Sequence, residues 1–286
     1  MHVPVMVGEC LEYLAVRPDG IYLDATAGLG GHTGAIAQRL TTGLVIANDR
    51  DAESLELAKQ NTSGWADRIR YRVGSFSDLR ATLAACGVDR VDGLLADLGV
   101  SRYQLTEPER GFSLMTEGPL DMRMDRSQTR TADEIVNFTS EKELADLIYR
   151  LGEERRSRRI SRAIVRARPI HTTQRLSRVI EVAVPRTTKL HPATQTFMAL
   201  RMAVNDEQGQ LDRLLADAPD LVNSGGRIVI LSFMSLEDRK VKQSFQALAR
   251  AERARLLARH VVRPTPEEIK NNPPSRSAKL RAVEMR

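Results

Sequence analysis

A chain of 286 residues can bury a sizeable core, either as one large domain or as one domain carrying an insertion. Its two cysteines, Cys10 and Cys86, lie far apart and show no metal-ligand spacing, which argues against a disulfide framework or metal site and points to a reducing, cytoplasmic setting. The net charge of +6 is local: residues 150–168 hold eight arginines against Glu153 and Glu154, leaving 35 basic and 35 acidic residues among the chain's 43 and 37.

The first residues, MHVPVMVGECLEYL, lack a basic leader and carry Glu9 inside the apolar run, so they make a poor signal peptide. No apolar run is long enough to span a bilayer, and a soluble protein without membrane contact is expected. HVPVM reads as an extended lead-in to a helix through Glu9, Leu11 and Leu14. Residues 21–32, IYLDATAGLGGH, read as a buried strand ending in a glycine-rich turn, where absent Cβ atoms let backbone approach a ligand or a neighbouring helix. A helix over 33–40 follows, then an apolar strand over 44–47 with Asn48 and Asp49 at its end. That is about the twenty-residue interval at which an acid meets a ribose in dinucleotide folds.

The alternation continues with a helix over 52–61, a strand over 68–73 closed by Gly74, Ser75 and Phe76, a helix from Asp78 towards Ala85, and a strand over 91–95 ending in Ala96 and Asp97. Four strands alternating with helices predict a doubly wound, mostly parallel sheet with its ligand at the strands' C-terminal ends. Those ends carry Asp24, the glycine turn, Asp49, Phe76 and Asp97. From Arg102 the alternation stops for roughly ninety residues, too long for a connection, so an inserted subdomain is expected over 102–190. Domain parts of 1–101 and 191–286 flank it.

Within the insert, helices are expected over 141–151, 155–168 and 173–182. In the second, Ile160, Ala163, Ile164 and Ala167 form a packing stripe, and Arg155, Arg159, Arg162 and Arg166 form another on a different side. That arginine stripe is either a solvated helix face or a set of phosphate contacts to RNA. The sheet pattern resumes with one or two helices over 191–221, a strand over 228–233, a helix from Leu236, and strands over 256–262 and 279–284 around a proline-rich loop, PTPEEIKNNPPSRS.

A glycine turn with an acid after the second strand fits a nicotinamide dehydrogenase or an S-adenosylmethionine methyltransferase. GLGGH lacks the G-x-G-x-x-G order that brings a pyrophosphate to a helix N-terminus, so the phosphate-free S-adenosylmethionine fits better. The expected fold is therefore a Rossmann-like class I methyltransferase, seven-stranded, with an inserted helical subdomain.

The motifs HVPV, YLDATAGLGGHT, ANDRD, VGSF, LLADLGVS, RGFS, GPLDMRMD, GEER, RISRAIV, HPATQTF, ALRMAVN, GGRIVILSF, SLEDR and RSAKLRAVE run through nearly the whole chain. In them the sequence resembles the bacterial 16S ribosomal RNA cytosine N4-methyltransferases, the RsmH or MraW family. The resemblance implies methyl transfer from S-adenosylmethionine to the exocyclic amine of a cytosine in the decoding region, with 16S rRNA, within the small ribosomal subunit, as partner. It implies that Gly30, Gly31 and His32 contact the methionine part of the cofactor, Asp49 the ribose hydroxyls, Phe76 the adenine, Asp97 the methionine end or sulfonium, and that Gln104 reaches in from the insert.

Amino methyltransferases of DNA accept from the target amine with a DPPY-like tetrapeptide after strand four. This chain has DLGV there, and either Asp97 or the Leu98 carbonyl is the expected acceptor, with Asp97 serving the cofactor alone as the other reading. Met234 stands where the family usually has histidine, Arg102 and Tyr103 where Ser and Pro are usual, Thr106 where an acid is common, and Met198 where glutamine is common. These departures fall on loops on the substrate side and leave the cofactor turn intact. Competing readings are a methyltransferase acting on another RNA position or a protein, and an RNA-binding assembly factor without catalysis.

Overall fold

The computed structural model describes residues 4–185 and 190–286. His2 and Val3 of the expected lead-in lie outside the described residues. Val5 and Met6 form a turn instead of an extended segment, with Met6 in the left-handed region at φ 52°.

In chain order the structure runs α1 (Val7–Leu14), β1 (Ile21–Asp24), α2 (Gly31–Ala37), β2 (Leu44–Asp49), α3 (Ala52–Asn61), β3 (Ile69–Val73), α4 (Leu79–Ala84) and β4 (Val91–Asp97). There follow α5 (Arg102–Thr106), α6 (Ala132–Phe138), α7 (Glu141–Gly152), α8 (Ser157–Ala167), α9 (Thr173–Ala183) and α10 (Thr194–Val204). The chain then makes α11 (Glu207–Leu221), β5 (Val222–Ser232), α12 (Ser235–Arg250), β6 (Ala254–Leu256), α13 (Pro266–Asn271) and β7 (Lys279–Met285). Two compact units result, one of Met1–Val100 with Gln208–Arg286 and one of Ser101–Glu207. The segment 191–207, expected to return to the sheet domain, thus groups with the helical unit.

The first unit is built on a seven-stranded sheet in the order β3-β2-β1-β4-β5-β7-β6. Strands β1 to β5 pair in parallel, and β7 runs antiparallel to both β5 and β6. Because successive strand residues face opposite sides, the apolar runs bury both faces. Leu23, Ile46, Leu94 and Ile228 pack with Leu79, Leu83, Leu211, Val241 and Phe245 on one side. Tyr22, Val45, Leu95 and Val229 pack with Leu11, Leu14, Ile36 and Leu55 on the other.

Helix α8 starts at Ser157, so Arg155 precedes it in a turn. The strand expected over 256–262 is shorter, Ala254–Leu256, with Val262 returning only as an isolated bridge to Leu280. The expected proline-rich loop contains α13: Thr265 caps it by accepting from Glu268 N at 3.1 Å, and Pro266 occupies the first turn, where its missing N–H costs nothing.

The second unit is helical. Leu144 and Ile148 of α7, Ile160 and Ile164 of α8, Leu176 and Ile180 of α9 and Leu200 of α10 are buried. Several of the sequence motifs are its joints. Arg110 of RGFS, 1% exposed, donates through Nη2 to the carbonyls of Arg123 and Met124 at 3.0 Å each. Asn205 donates to Met122 O at 2.7 Å and accepts from Met124 N at 2.8 Å, pinning GPLDMRMD to the end of α10. Gln195 of HPATQTF donates to Gly152 O at 3.0 Å, and a Cβ on Gly152 would collide with the Gln195 carbonyl, so α7 and α10 can approach only at a glycine.

Candidate functional site

The C-terminal ends of β1 to β4 bring Asp24, the turn of residues 28–32, Asp49, Phe76 and Asp97 to one end of the sheet in the first unit. Parallel strands leave these loops on the same edge, where helix N-termini also point. Backbone and side chains knit them together. Asp49 accepts from Gly28 N at 2.7 Å and from Asp51 N at 2.8 Å, so the end of β2 holds the glycine turn. Asn48 donates to Ala25 O at 3.3 Å and Gly74 O at 2.9 Å and accepts from Thr82 Oγ1 at 3.1 Å, which joins the ends of β1, β2 and β3.

Gly30 and Gly31 are required first by packing. A Cβ on Gly30, whose φ is +84°, would meet Thr62 Cγ2 at 2.9 Å, and one on Gly31 would meet Pro4 Cβ at 2.8 Å. What the turn offers a ligand is therefore its backbone and the side chain that follows it, His32.

His32 is buried, with Nε2 at 3.5 Å from Asp97 Oδ2. Burial by itself would lower the imidazole pKa, but the Asp97 carboxylate, with Asp24 and Glu268 behind it, raises it above the ordinary value. Neither His32 Nε2 nor Asp97 Oδ1 has a hydrogen-bond partner among the described residues, although both atoms are buried. Buried polar atoms without a hydrogen bond are costly, and this pair is free to bond a polar ligand or a water.

Asp24 is a strand-end acid to which neither spacing nor resemblance assigns a role. It is fully buried, accepting from Thr33 Oγ1 at 2.7 Å and Thr26 N at 3.2 Å, and Thr26 Oγ1 in turn accepts from Asp97 N at 2.7 Å. Burial, more than any neighbour, pushes the Asp24 carboxyl above its usual range. The acid at the end of the strand in LDATAG was the available signal; its link to Asp97 depends on a pairing across strands that spacing does not reveal.

Burial also raises the Asp49 carboxyl, to about 6, against the two backbone N–H groups that lower it. Each of its oxygens accepts one N–H and retains a second lone pair for a ligand hydroxyl. Phe76 is half-buried and packs against the core beside the end of β3. At the end of β5, Glu237 accepts from Phe233 N at 3.3 Å and Met234 N at 3.1 Å, so Met234 sits at the cap of α12.

The remaining expected residues belong to the second unit. Gln104 is buried on α5, where it accepts from Ser101 N at 3.0 Å in a capping box. Arg155, Arg159, Arg162 and Arg166 are exposed, as is Arg158. Arg162 lies 3.5 Å from Glu141, and the other four have no ion-pair partner among the described residues. Arg156 and Arg168 are instead structural: Arg156 binds Glu154 at 3.1 Å, and Arg168 donates to Val136 O at 2.7 Å. No cluster of metal-ligating side chains occurs among the described residues. No helix among them is long and apolar enough to cross a membrane.

A model of the MraW methylase family matches residues 1–286. The chain is 63% identical over 286 residues to the ribosomal RNA small subunit methyltransferase H of Solibacter usitatus, covering 100% of both chains. It is 49% identical to the protein of that name from Koribacter versatilis, covering 99% of this chain and 93% of the relative. Among solved structures, a putative rRNA-methylase from Clostridium thermocellum aligns over 100% of both chains with a TM-score of 0.51 at 10% identity, a likeness of fold alone.

Proposed function

The chain belongs to the MraW methylase family, and from that premise we propose that it transfers a methyl group from S-adenosylmethionine to the exocyclic N4 amine of a cytosine in the decoding region of 16S rRNA. The relatives' names support the small-subunit rRNA as substrate, and a cytoplasmic location follows from that substrate. The observation that carries the reading is the pair of orphaned buried atoms, His32 Nε2 and Asp97 Oδ1, beside a glycine turn and a carboxylate suited to a diol.

The residues present fit the cofactor. Asp49 would accept the ribose hydroxyls, Phe76 would lie against the adenine, and Gly30, Gly31 and His32 would hold the methionine part. S-adenosylmethionine, when bound, supplies an electrophilic methyl group on a sulfonium. The chain's own task is to make a poor nucleophile reactive, because the cytosine amine has its lone pair delocalised into the ring. Asp97, or the Leu98 carbonyl beside it, accepts an N4 hydrogen and so localises that lone pair. Thr26, by accepting from Asp97 N, fixes the backbone from which both acceptors project.

The arginines of α8 would hold RNA phosphates while the target base leaves its stack. A deletion strain tests the reading: its small-subunit RNA should lack one N4-methylcytosine that returns on complementation. An unchanged nucleoside profile would direct the enzyme to another RNA position or to a protein.

A further inference from the structure

Phe138 ends α6 and is 80% exposed, in a chain with only six phenylalanines, five tyrosines and one tryptophan. Its backbone neighbours are all tied down. Arg168 donates to Val136 O at 2.7 Å and to Thr139 O at 2.5 Å. Asn137 donates to Ile170 O at 2.8 Å and accepts from Ile170 N at 2.8 Å. Residues 136, 137 and 139 are thus bonded to the segment leaving α8, and the ring of Phe138 is held out on a fixed support. Three residues further on, Glu141 faces Arg162 of α8 at 3.5 Å. These contacts set the end of α6 that carries the ring beside the C-terminal end of α8, the helix that carries Arg158, Arg159, Arg162 and Arg166, all exposed.

An exposed ring on a rigid support next to a row of exposed guanidinium groups suits single-stranded nucleic acid, whose bases stack while its phosphates are neutralised. An apolar protein surface suits it poorly, since docking would strip water from the same arginines without pairing them. We infer that Phe138 is a stacking platform for an unpaired RNA base, with α8 holding the flanking phosphates. The inference rests on the proposal that the substrate is RNA and adds a base-contacting residue to it.

The test uses the full chain, a labelled single-stranded oligoribonucleotide and a duplex of the same sequence. Phe138→Ala and Phe138→Leu should weaken single-strand binding roughly 5- to 150-fold, with thermal unfolding and the salt slope unchanged. Phe138→Trp should restore it, and duplex binding should change little in all three variants. Wild-type affinity in Phe138→Ala would overturn the inference while leaving the RNA substrate standing. Full affinity in Phe138→Leu would also overturn it, because an aliphatic side chain cannot stack on a base. Failure of the unmodified protein to bind any RNA, or small subunits, would overturn the substrate proposal itself.

Discussion

His32 Nε2, on a buried imidazole, stands 3.5 Å from Oδ2 of the half-buried Asp97, with Asp24 nearby and Thr26 bonded to Asp97 N. Three carboxylates, Asp97, Asp24 and Glu268, favour the protonated imidazole despite burial. Removing one of them should therefore be visible in the histidine itself. In Asp97→Asn the His32 pKa should fall, since burial is then opposed only by Asp24 and Glu268. NMR titration of the ring measures this, and an unchanged midpoint would mean that Asp97 does not set its charge.

Asp97→Ala separates two roles of that carboxylate. If Asp97 accepts from the target amine, the variant should lose methyl transfer by roughly 100-fold or more beyond any loss of cofactor affinity. Calorimetry for binding and single-turnover transfer for rate provide the comparison. Lost affinity with little further loss of rate would restrict Asp97 to the cofactor.

Asp49 should make cofactor binding depend on pH. With its carboxyl raised to about 6, acidification through that range protonates the proposed diol acceptor, so affinity should weaken there. Asp49→Asn should bind weakly with a flat profile. In the ligand-free protein the sign for stability is opposite. The folded chain keeps this proton above the ordinary value of 3.8, so the group's contribution is fully present below that pH and is lost as the pH rises to about 6.

The charge of α8 should appear in the salt dependence of binding. Replacing Arg158, Arg159 and Arg166 by Gln should reduce the slope of log affinity against log salt by about 0.7 for each phosphate of single-stranded RNA that is no longer neutralised. An unchanged slope would make this a solvated helix face.

A structural prediction concerns the SLEDR and RSAKLRAVE motifs, which meet where Asp238 of α12 receives Arg281 of β7 at 2.7 and 3.2 Å. Asp238→Ala should leave a largely buried guanidinium unpaired and cost about 1–3 kcal/mol in chemical denaturation. Loss of the pair should cost more than replacing both partners by apolar residues of similar size.

The sheet was legible because its strands are short apolar runs bounded by glycine and acid, and β2, α3 and β4 fall where those runs fall. Boundaries failed where local chemistry opposed the pattern. Thr265 and Pro266 start a helix inside what composition marks as a loop, and the apolar run at 256–262 pairs over only a fraction of its length. The strand-end acids were legible by topology, but the Asp24, Thr26 and Asp97 connection was not, because it joins the ends of β1 and β4, which pair in the sheet but lie far apart in the sequence. GPLDMRMD and HPATQTF were recognisable by resemblance; only the packing gives their physical reason, the bonds from Asn205, Arg110 and Gln195 that hold the helical unit together.

The central claim is methyl transfer to one cytosine amine from a cofactor held at the ends of β1 to β4. Its most direct measurement incubates the purified protein with methyl-labelled S-adenosylmethionine and unmodified small subunits, then maps the labelled nucleotide. Label confined to N4 of a single decoding-region cytosine is the predicted result, absent with the His32→Ala variant. Label elsewhere in the RNA, in protein, or nowhere despite measurable cofactor binding would contradict it.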